Sequence, residues 1–345
     1  MNLNLDQIKA ITVGTVRITE EAEGFRFYRF TAQQEALYKE KRPTLWEKCF
    51  TPSGVKLRFR TDSKKLGLTG WTSKATAREY YAIDVYKNGE KLGDIKNFVP
   101  EKLQGLYTTT TWELGDFAGT FDLGDGEKEI CIYLPWGVVA GLTAVELDDG
   151  ATIVPVKRPK KLLCFGDSIT HGYDARYPAN KYATRLAALL DADEYNKAIG
   201  GEIFQPWLAA TEDAIAPDYI TVAYGTNDWA ACQPDVIVRN CTGFYANLAA
   251  NYPNTPIFAI TPVWRKDQAP DKPAGPFSFA EETIRAATKD LPNVTVIRGY
   301  DLIPHEENLY GDLRLHPNDE GFAHYAANLF ETIKQHLKKV IKAGK

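Results

Sequence analysis

From about Val55 to Pro155 apolar and polar residues alternate, which is the period of a half-buried strand. In "VKLRF", Val55, Leu57 and Phe59 share one face while Lys56 and Arg58 point the other way. The run "YAIDVYKNGEKLGDI" repeats the pattern around Asn88-Gly89, and "FDLGDGEKEICIYL" repeats it around Asp125-Gly126. Both dipeptides accept the positive φ of a hairpin turn. Alternating strands joined in this way predict an antiparallel β-sandwich or jelly roll over residues 1–158.

The texture changes after the basic, proline-containing "VKRPKK" (Val156 to Lys161), which places a domain boundary there and a second domain over 159–345. Short apolar runs now alternate with helical stretches. "LLCF" precedes "KYATRLAALL", and "YITVAYG" precedes a helix through Ile237, Cys241, Phe244 and Leu248, at spacings of four, three and four. "PIFAIT" is followed by a helix opened by Ser278 with Glu281 three residues on, the pattern of a capping box. After "VTVI" the sequence ends on an amphipathic helix with the stripe Phe322, Tyr325, Leu329, Ile333, Leu337 and Ile341. Strands alternating with helices predict a three-layer α/β domain with a parallel sheet and right-handed crossovers. No internal repeat or low-complexity tract interrupts it.

Composition narrows the partners. The 345 residues are 44% hydrophobic and 25% charged, ordinary for a globular chain of one large or two medium domains. A formal charge of −4, from 41 basic and 45 acidic residues, is spread without a basic face or a polybasic run. Nucleic acid and membrane surfaces are therefore poor partners, and a neutral or weakly charged substrate fits better. Five cysteines, Cys49, Cys131, Cys164, Cys232 and Cys241, are odd in number and mostly sit inside apolar runs. They read as reduced core thiols rather than a disulfide frame or a zinc site. "MNLNLDQIKAITVG" has no basic n-region and no continuous apolar h-region, and no run of about 18 apolar residues occurs, so a soluble cytoplasmic protein is expected.

In open α/β sheets, functional groups gather beyond the carboxyl ends of the strands. The first such end carries Gly166, Asp167 and Ser168. Alone, Ser168 reads as a helix N-cap. Neither G-x-x-x-x-G-K-[ST] nor G-x-G-x-x-G is present, which disfavours phosphate binding, and Thr170 stands where the nucleophile elbow G-x-S-x-G needs its second glycine. "EYNKAIGGEIF" ends a second strand in Gly200 and Gly201, whose backbone could approach a ligand or merely turn. "YGTNDW" leaves Asn227 at the third tip, where its amide could face an oxyanion or serve a turn. "GDLRLHPNDEGF" places Asp312 and His316 on one segment, with Asp319 positioned to cap the last helix. Acyl transfer needs a serine nucleophile, a histidine base, a group to orient that base, and donors for the developing oxyanion; all four kinds occur together.

"GDSIT", "NKAIGG", "YGTND" and "LHPNDEGF" resemble blocks I, II, III and V of the SGNH (GDSL) hydrolases, in the same order and at similar spacing, over about Pro159 to Lys345. The resemblance implies a flavodoxin-like three-layer fold with Ser168 as nucleophile and His316 as general base. It also implies an oxyanion hole made by the backbone N–H groups of Ser168 and Gly201 and the side-chain amide of Asn227. Gly201 is chosen over Gly200 because the block II glycine lies five residues after that block's asparagine, here Asn196. In the family the acid stands three residues before the histidine, where this chain has Leu313; Asp312 stands four before. Either a one-residue bulge lets Asp312 reach the far imidazole nitrogen, or a backbone carbonyl orients His316 and a dyad serves. His171, three residues past Ser168, is a rival base by proximity alone.

No lid or extended apolar groove is apparent, so a short acyl group, acetyl above all, is expected. Trp229 after "GTND" and Trp264 in "TPVWR" could stack on a sugar ring or simply pack. A β-domain before an SGNH domain is also similar to the layout of family 2 carbohydrate esterases, which implies a carbohydrate O-deacetylase needing no cofactor and no metal. A glycan-binding protein with a decayed hydrolase half, and a serine acyltransferase, are the alternatives. A homo-oligomer stays open.

Overall fold

The computed structural model describes residues 1–103, 111–269 and 272–343. It divides into two compact units. One is Met1–Pro159 with Arg176–Ala179 and Asp193–Asn196; the other is Lys160–Ala175, Asn180–Ala192 and Lys197–Lys345.

The first unit carries helices α1 (Leu5–Ile11) and α2 (Ala32–Lys41). Its strands are β1 (Thr12–Val13), β2 (Arg17–Glu21), β3 (Gly24–Tyr28), β4 (Lys56–Thr61), β5 (Lys65–Lys74), β6 (Ala82–Lys87), β7 (Glu90–Lys96), β8 (Asp116–Asp122), β9 (Lys128–Tyr133), β10 (Val138–Leu147) and β11 (Val154–Pro155). They form two antiparallel sheets. One has the order β1-β4-β9-β6-β7 with β11 on β4, and the other has β2-β3-β10-β5-β8. Phe25, Phe27, Leu66, Leu68 and Leu142 from one sheet meet Leu57, Phe59, Ile83, Val85, Ile130 and Ile132 from the other in a single core. Period-two alternation thus brings one face of each sheet inward, as the pattern predicts.

Two readings need correction here. Lys56 and Arg58 do leave the core face, but they are only 3% and 4% exposed. Arg58 pairs with Asp193 at 2.7 Å, a partner distant in sequence that strand alternation cannot reveal. Asn88-Gly89 does close a hairpin, with φ of 52° and 85° and with Lys87 opposite Glu90. Asp125-Gly126 does not: β8 pairs with β5 in one sheet and β9 pairs with β4 and β6 in the other, so this turn carries the chain between sheets.

The parallel sheet consists of β12 (Lys160–Gly166), β13 (Ala192–Asn196), β14 (Tyr219–Ala223), β15 (Ile257–Ile260) and β16 (Val294–Ile297), in the order β13-β12-β14-β15-β16, and all of it but Asp193–Asn196 of β13 lies in the second unit. The pairings β12–β14, β14–β15 and β15–β16 are parallel. The helices of this unit are α3 (Ser168–His171), α4 (Tyr182–Leu189), α5 (Pro206–Ala210), α6 (Thr226–Ala231), α7 (Pro234–Asn251), α8 (Ser278–Thr288) and α9 (Asp319–Ala343). Leu162 and Cys164 face the core shared with α4 and α9, whereas Phe165 meets Phe244 of α7 at 5.8 Å, so helices cover both sheet faces. Phe322, Tyr325, Leu329 and Ile333 are buried along α9, and Tyr325 stacks on Tyr182 at 4.0 Å. The side chain of Ile341, the last predicted stripe position, lies outside the described residues.

Local capping is less well predicted. Ser278 and Glu281 form no capping box: Phe277 precedes α8 without a side-chain cap, and Glu281 instead pairs with Arg285 at 2.7 Å. Asn318, not Asp319, caps α9, its Oδ1 accepting from the N–H groups of Glu320 and Gly321 at 3.1 Å. None of the five cysteines is in a disulfide, and all but Cys232 are buried. Among the described residues no helix is long and apolar enough to cross a membrane.

The sheet order positions the site. After β12 the chain adds β13 on one side and then β14 on the other. Segments leaving the carboxyl ends of β12 and β14 therefore diverge, and the crevice they leave is where ligands bind in open α/β sheets. Ser168 follows β12 and Asn227 follows β14.

Candidate active site

Asp167 follows β12 and caps α3, its Oδ1 accepting the Ile169 N–H at 2.9 Å. Ser168 is therefore the first helical residue and not the cap, which frees its side chain. The Ser168 Oγ lies 2.9 Å from His316 Nε2, and His316 Nδ1 lies 2.8 Å from Asp312 Oδ2. An ionised carboxylate can only accept, so Nδ1 carries the imidazole proton and Nε2 accepts from the Ser168 hydroxyl.

The spare residue between Asp312 and His316 is absorbed at Leu313, whose φ of 56° folds the segment back on itself. A non-glycine side chain in this region costs about 1–2 kcal/mol. The offset is the reach of Asp312: its Oδ1 accepts the N–H groups of Arg314, Leu315 and His316 at 3.0, 2.7 and 3.0 Å while its Oδ2 holds the imidazole. Burial alone would raise the Asp312 carboxyl. The hydrogen bond and charge of His316, with the N–H groups of Leu315 and His316, instead hold it well below the usual carboxylate range.

Asp174, which sequence reasoning passed over, is buried with its Oδ2 3.9 Å from His316 Nδ1. That is too long for a hydrogen bond and close enough to stabilise charge on the ring. Ligand atoms of Asp174, Asp312 and His316 lie within 4.8 Å of one another, but a metal held there would take Nδ1 away from Asp312. His171, the rival base, is fully buried and its Nδ1 accepts the Gly200 N–H at 3.1 Å. It braces the glycine turn.

β13 ends at Asn196, so the two glycines lie in the loop beyond it and not on a strand. Their reasons differ. A Cβ on Gly200 would meet the Tyr173 ring at 2.4 Å, whereas Gly201 is exposed with φ of 87°. The Gly200 N–H is taken by His171. No acceptor among the described residues takes that of Gly201 or of Ser168. Asn227 donates one Nδ2 hydrogen to the Glu202 carbonyl at 2.9 Å, which fixes the amide and leaves its second hydrogen.

Asp228, beside Asn227, accepts the Phe204 N–H at 3.0 Å. Burial pushes its carboxyl up to about 7, reinforced by the negative charges of Asp167 and Glu202 and opposed by the Phe204 N–H. Because the folded value lies above the ordinary 3.8, the stability this proton confers is full below about pH 4 and is lost as pH rises through about 7. Asp228→Asn keeps the acceptor for Phe204 and removes the titration. The fall in melting temperature of the wild type between about pH 4 and about pH 7 is expected to be shallower in the variant. Parallel curves from thermal denaturation would contradict this.

The two tryptophans do not form a matched pair of platforms. Trp229 is 0% exposed, with its indole N–H on the Gly275 carbonyl at 2.8 Å and Phe277 packed against its ring. It is a core residue and cannot stack on a sugar. Trp264 is half-buried, stacked on His305 at 5.5 Å and tilted against Tyr310.

Comparison with known proteins now bears on this geometry. Residues 164–324 match the model of the GDSL-like lipase/acylhydrolase family. No curated protein matches the sequence. Among solved structures, a salicylyl-acyltransferase from a tetracycline biosynthetic pathway is similar at 20% identity, covering 92% of each chain with a TM-score of 0.76. A protein described as a GDSL-like lipase from Bacteroides ovatus is 20% identical over 98% of each chain, with a TM-score of 0.73. An acetyl xylan esterase from the rumen bacterium Butyrivibrio proteoclasticus is 16% identical over 98% of each chain, with a TM-score of 0.64. At such identities the likeness is one of fold. The parallel sheet is that of an SGNH hydrolase, and the GDSL-like segment contains Ser168, Gly201, Asn227, Asp312 and His316.

Proposed function

We propose that the chain is a serine esterase that removes short acyl groups, acetyl above all, from carbohydrate hydroxyls. The observation that carries this reading is the continuous hydrogen-bonded line from Ser168 Oγ through His316 to Asp312. In the proposed cycle His316 takes the hydroxyl proton as Oγ attacks the ester carbonyl. The tetrahedral oxyanion meets the N–H groups of Ser168 and Gly201 and the second amide hydrogen of Asn227. The carbonyl re-forms, the alkoxide leaves with the proton from His316, and water repeats the sequence to free the acid and Ser168.

The sugar reading draws support from the similarity in fold to an acetyl xylan esterase and to family 2 carbohydrate esterases. It is also supported by the two antiparallel sheets that precede the GDSL-like segment, which we read as a separate β-domain over 1–158. Their inner orders, β3-β10-β5-β8 and β4-β9-β6-β7, favour a jelly roll, because sequence neighbours from β3 to β6 fall alternately in the two sheets.

Acetate release from a panel of acetylated mono- and oligosaccharides, with Ser168→Ala as the blank, tests the proposal. Serine-dependent release from at least one sugar ester is expected. Binding without release would favour a glycan-binding protein, and no release from any ester would sink the esterase reading. The similarity to a salicylyl-acyltransferase keeps a second reading in play. Under it, an added sugar acceptor would capture the acyl group in preference to water.

A further inference from the structure

We infer that Arg265 is a positioning residue that holds Asn227 and His316 in register with each other; this rests on the roles proposed above for those two side chains. Arg265 is 4% exposed and lies in the segment after β15. Its Nη1 donates to the Thr226 hydroxyl at 2.9 Å, and Thr226 opens α6 immediately before Asn227. Its Nε and Nη2 donate to Asp267 Oδ1 and Oδ2 at 2.6 and 2.8 Å, a two-pronged pairing only a guanidinium can make. Asp267 Oδ2 also accepts from Arg314 Nη1 at 3.0 Å, and the Lys266 N–H donates to the Arg314 carbonyl at 2.9 Å. Arg314 in turn donates its N–H to Asp312 at 3.0 Å.

A continuous set of hydrogen bonds therefore runs from the residue preceding Asn227, through Arg265 and Asp267, to the segment that carries Asp312 and His316. Below it Trp229, with its indole anchored on Gly275, places its ring 5.2 Å from the guanidinium carbon. The two ends come from different parts of the chain, the end of β14 and the segment before α9, and nothing in the local sequence of either sets their separation. The planar fork does. It donates in fixed directions to three acceptor atoms, the Thr226 hydroxyl and both Asp267 carboxylate oxygens, so a shift of either end breaks a bond made by the buried guanidinium.

Misplacement of a catalytic group by about 1 Å can lower a rate by about 10²-fold. Arg265→Gln is therefore expected to lower kcat by about 10- to 100-fold with KM changed less than about threefold, because the groups that bind substrate remain. Arg265→Lys, which keeps the charge and loses the fork, is expected to resemble Gln more than the wild type. Thr226→Val removes the hydroxyl acceptor, leaves the weaker bond from Nη1 to the residue 226 carbonyl at 3.4 Å and spares the half-buried pair with Asp267, so it serves where the Arg265 variants fold poorly; a smaller drop in kcat at unchanged KM is expected.

The experiment measures kcat and KM for p-nitrophenyl acetate in the wild type, these variants, Asn227→Ala, and the double variant Arg265→Gln/Asn227→Ala. Rates are normalised to the serines that react with a fluorophosphonate. Asn227→Ala alone is expected to lose about 10²–10³-fold in kcat. If Arg265 works through Asn227, the double variant falls short of the product of the two single losses. The inference is overturned if Arg265→Gln keeps kcat within about twofold per reactive serine, or if the two losses multiply. A wild type that turns over no ester would instead remove the esterase reading, and this inference with it, before any variant is compared.

Discussion

His316→Ala and Ser168→Ala are each expected to lower kcat by about 10⁶-fold, with little change in KM, and the double variant should be no slower than either single one. The reason is geometric. Among the described residues one base lies within reach of Ser168 Oγ, His316 Nε2 at 2.9 Å, and that nitrogen can accept only because Nδ1 is committed to Asp312. Without the imidazole the hydroxyl keeps its proton and attacks poorly; without the hydroxyl the imidazole has nothing to activate. His171 offers no substitute, being fully buried with its Nδ1 held by the Gly200 N–H. Stopped assays with a chromogenic acetyl ester measure both rates. Residual turnover in His316→Ala above about one thousandth of wild type would mean that another base serves Ser168.

Much of the α/β unit is legible because its strands are short apolar runs buried on both faces, and its long helices carry a stripe at period 3.6. β13 escapes that logic. It carries Asp193 and Glu194, both buried, because Arg58 neutralises Asp193 and Asn196 donates to Glu194; a hydrophobic pattern therefore sets the strand too late in the chain. The turn at Asp125-Gly126 departs from the hairpin pattern for a related reason. Local chemistry states that the chain bends, but which sheet receives β9 depends on packing across the core. Ser278 and Glu281 have the residues of a capping box, and pairing with Arg285 one turn on in the same helix, and with Arg298 beyond it, draws the glutamate away.

The site divides along the same line. Ser168, Asn227 and His316 sit at strand ends or on a single segment, where residue type and spacing carry the information. Asp174 and Arg265 act through contacts with residues far away in sequence, and nothing in their immediate neighbours marks them. The sequence draws the eye to Trp264 and Trp229, whereas the residue linking the two parts of the site is Arg265, adjacent to one and packed against the other. Asp312 lies between these cases. Its identity is visible, but its reach depends on a left-handed turn at Leu313, and leucine is not a residue that announces positive φ.

Asp312→Asn tests that turn most directly, and the outcome follows from which oxygen does what. Oδ1 accepts three backbone N–H groups, so an asparagine must place its carbonyl oxygen there, since an amide nitrogen would face three donors. The NH₂ group is then left pointing at His316 Nδ1, where it donates. The imidazole answers by moving its proton to Nε2, which can no longer accept from Ser168. The segment keeps its shape while the base is switched to the wrong tautomer. A loss of about 10⁴-fold in kcat is expected, with KM little changed. Because the Asp312 carboxyl is held well below its usual range, the wild-type pairing persists into acid, so the difference between wild type and variant should extend across the working pH range. Asp174, at 3.9 Å, is the group placed to soften the blow, and Asp174→Asn in the Asp312→Asn background should remove what remains. Should Asp312→Asn stay within about tenfold of wild type at a normal fluorophosphonate titre, His316 is oriented by something other than Asp312, and the site works as a dyad.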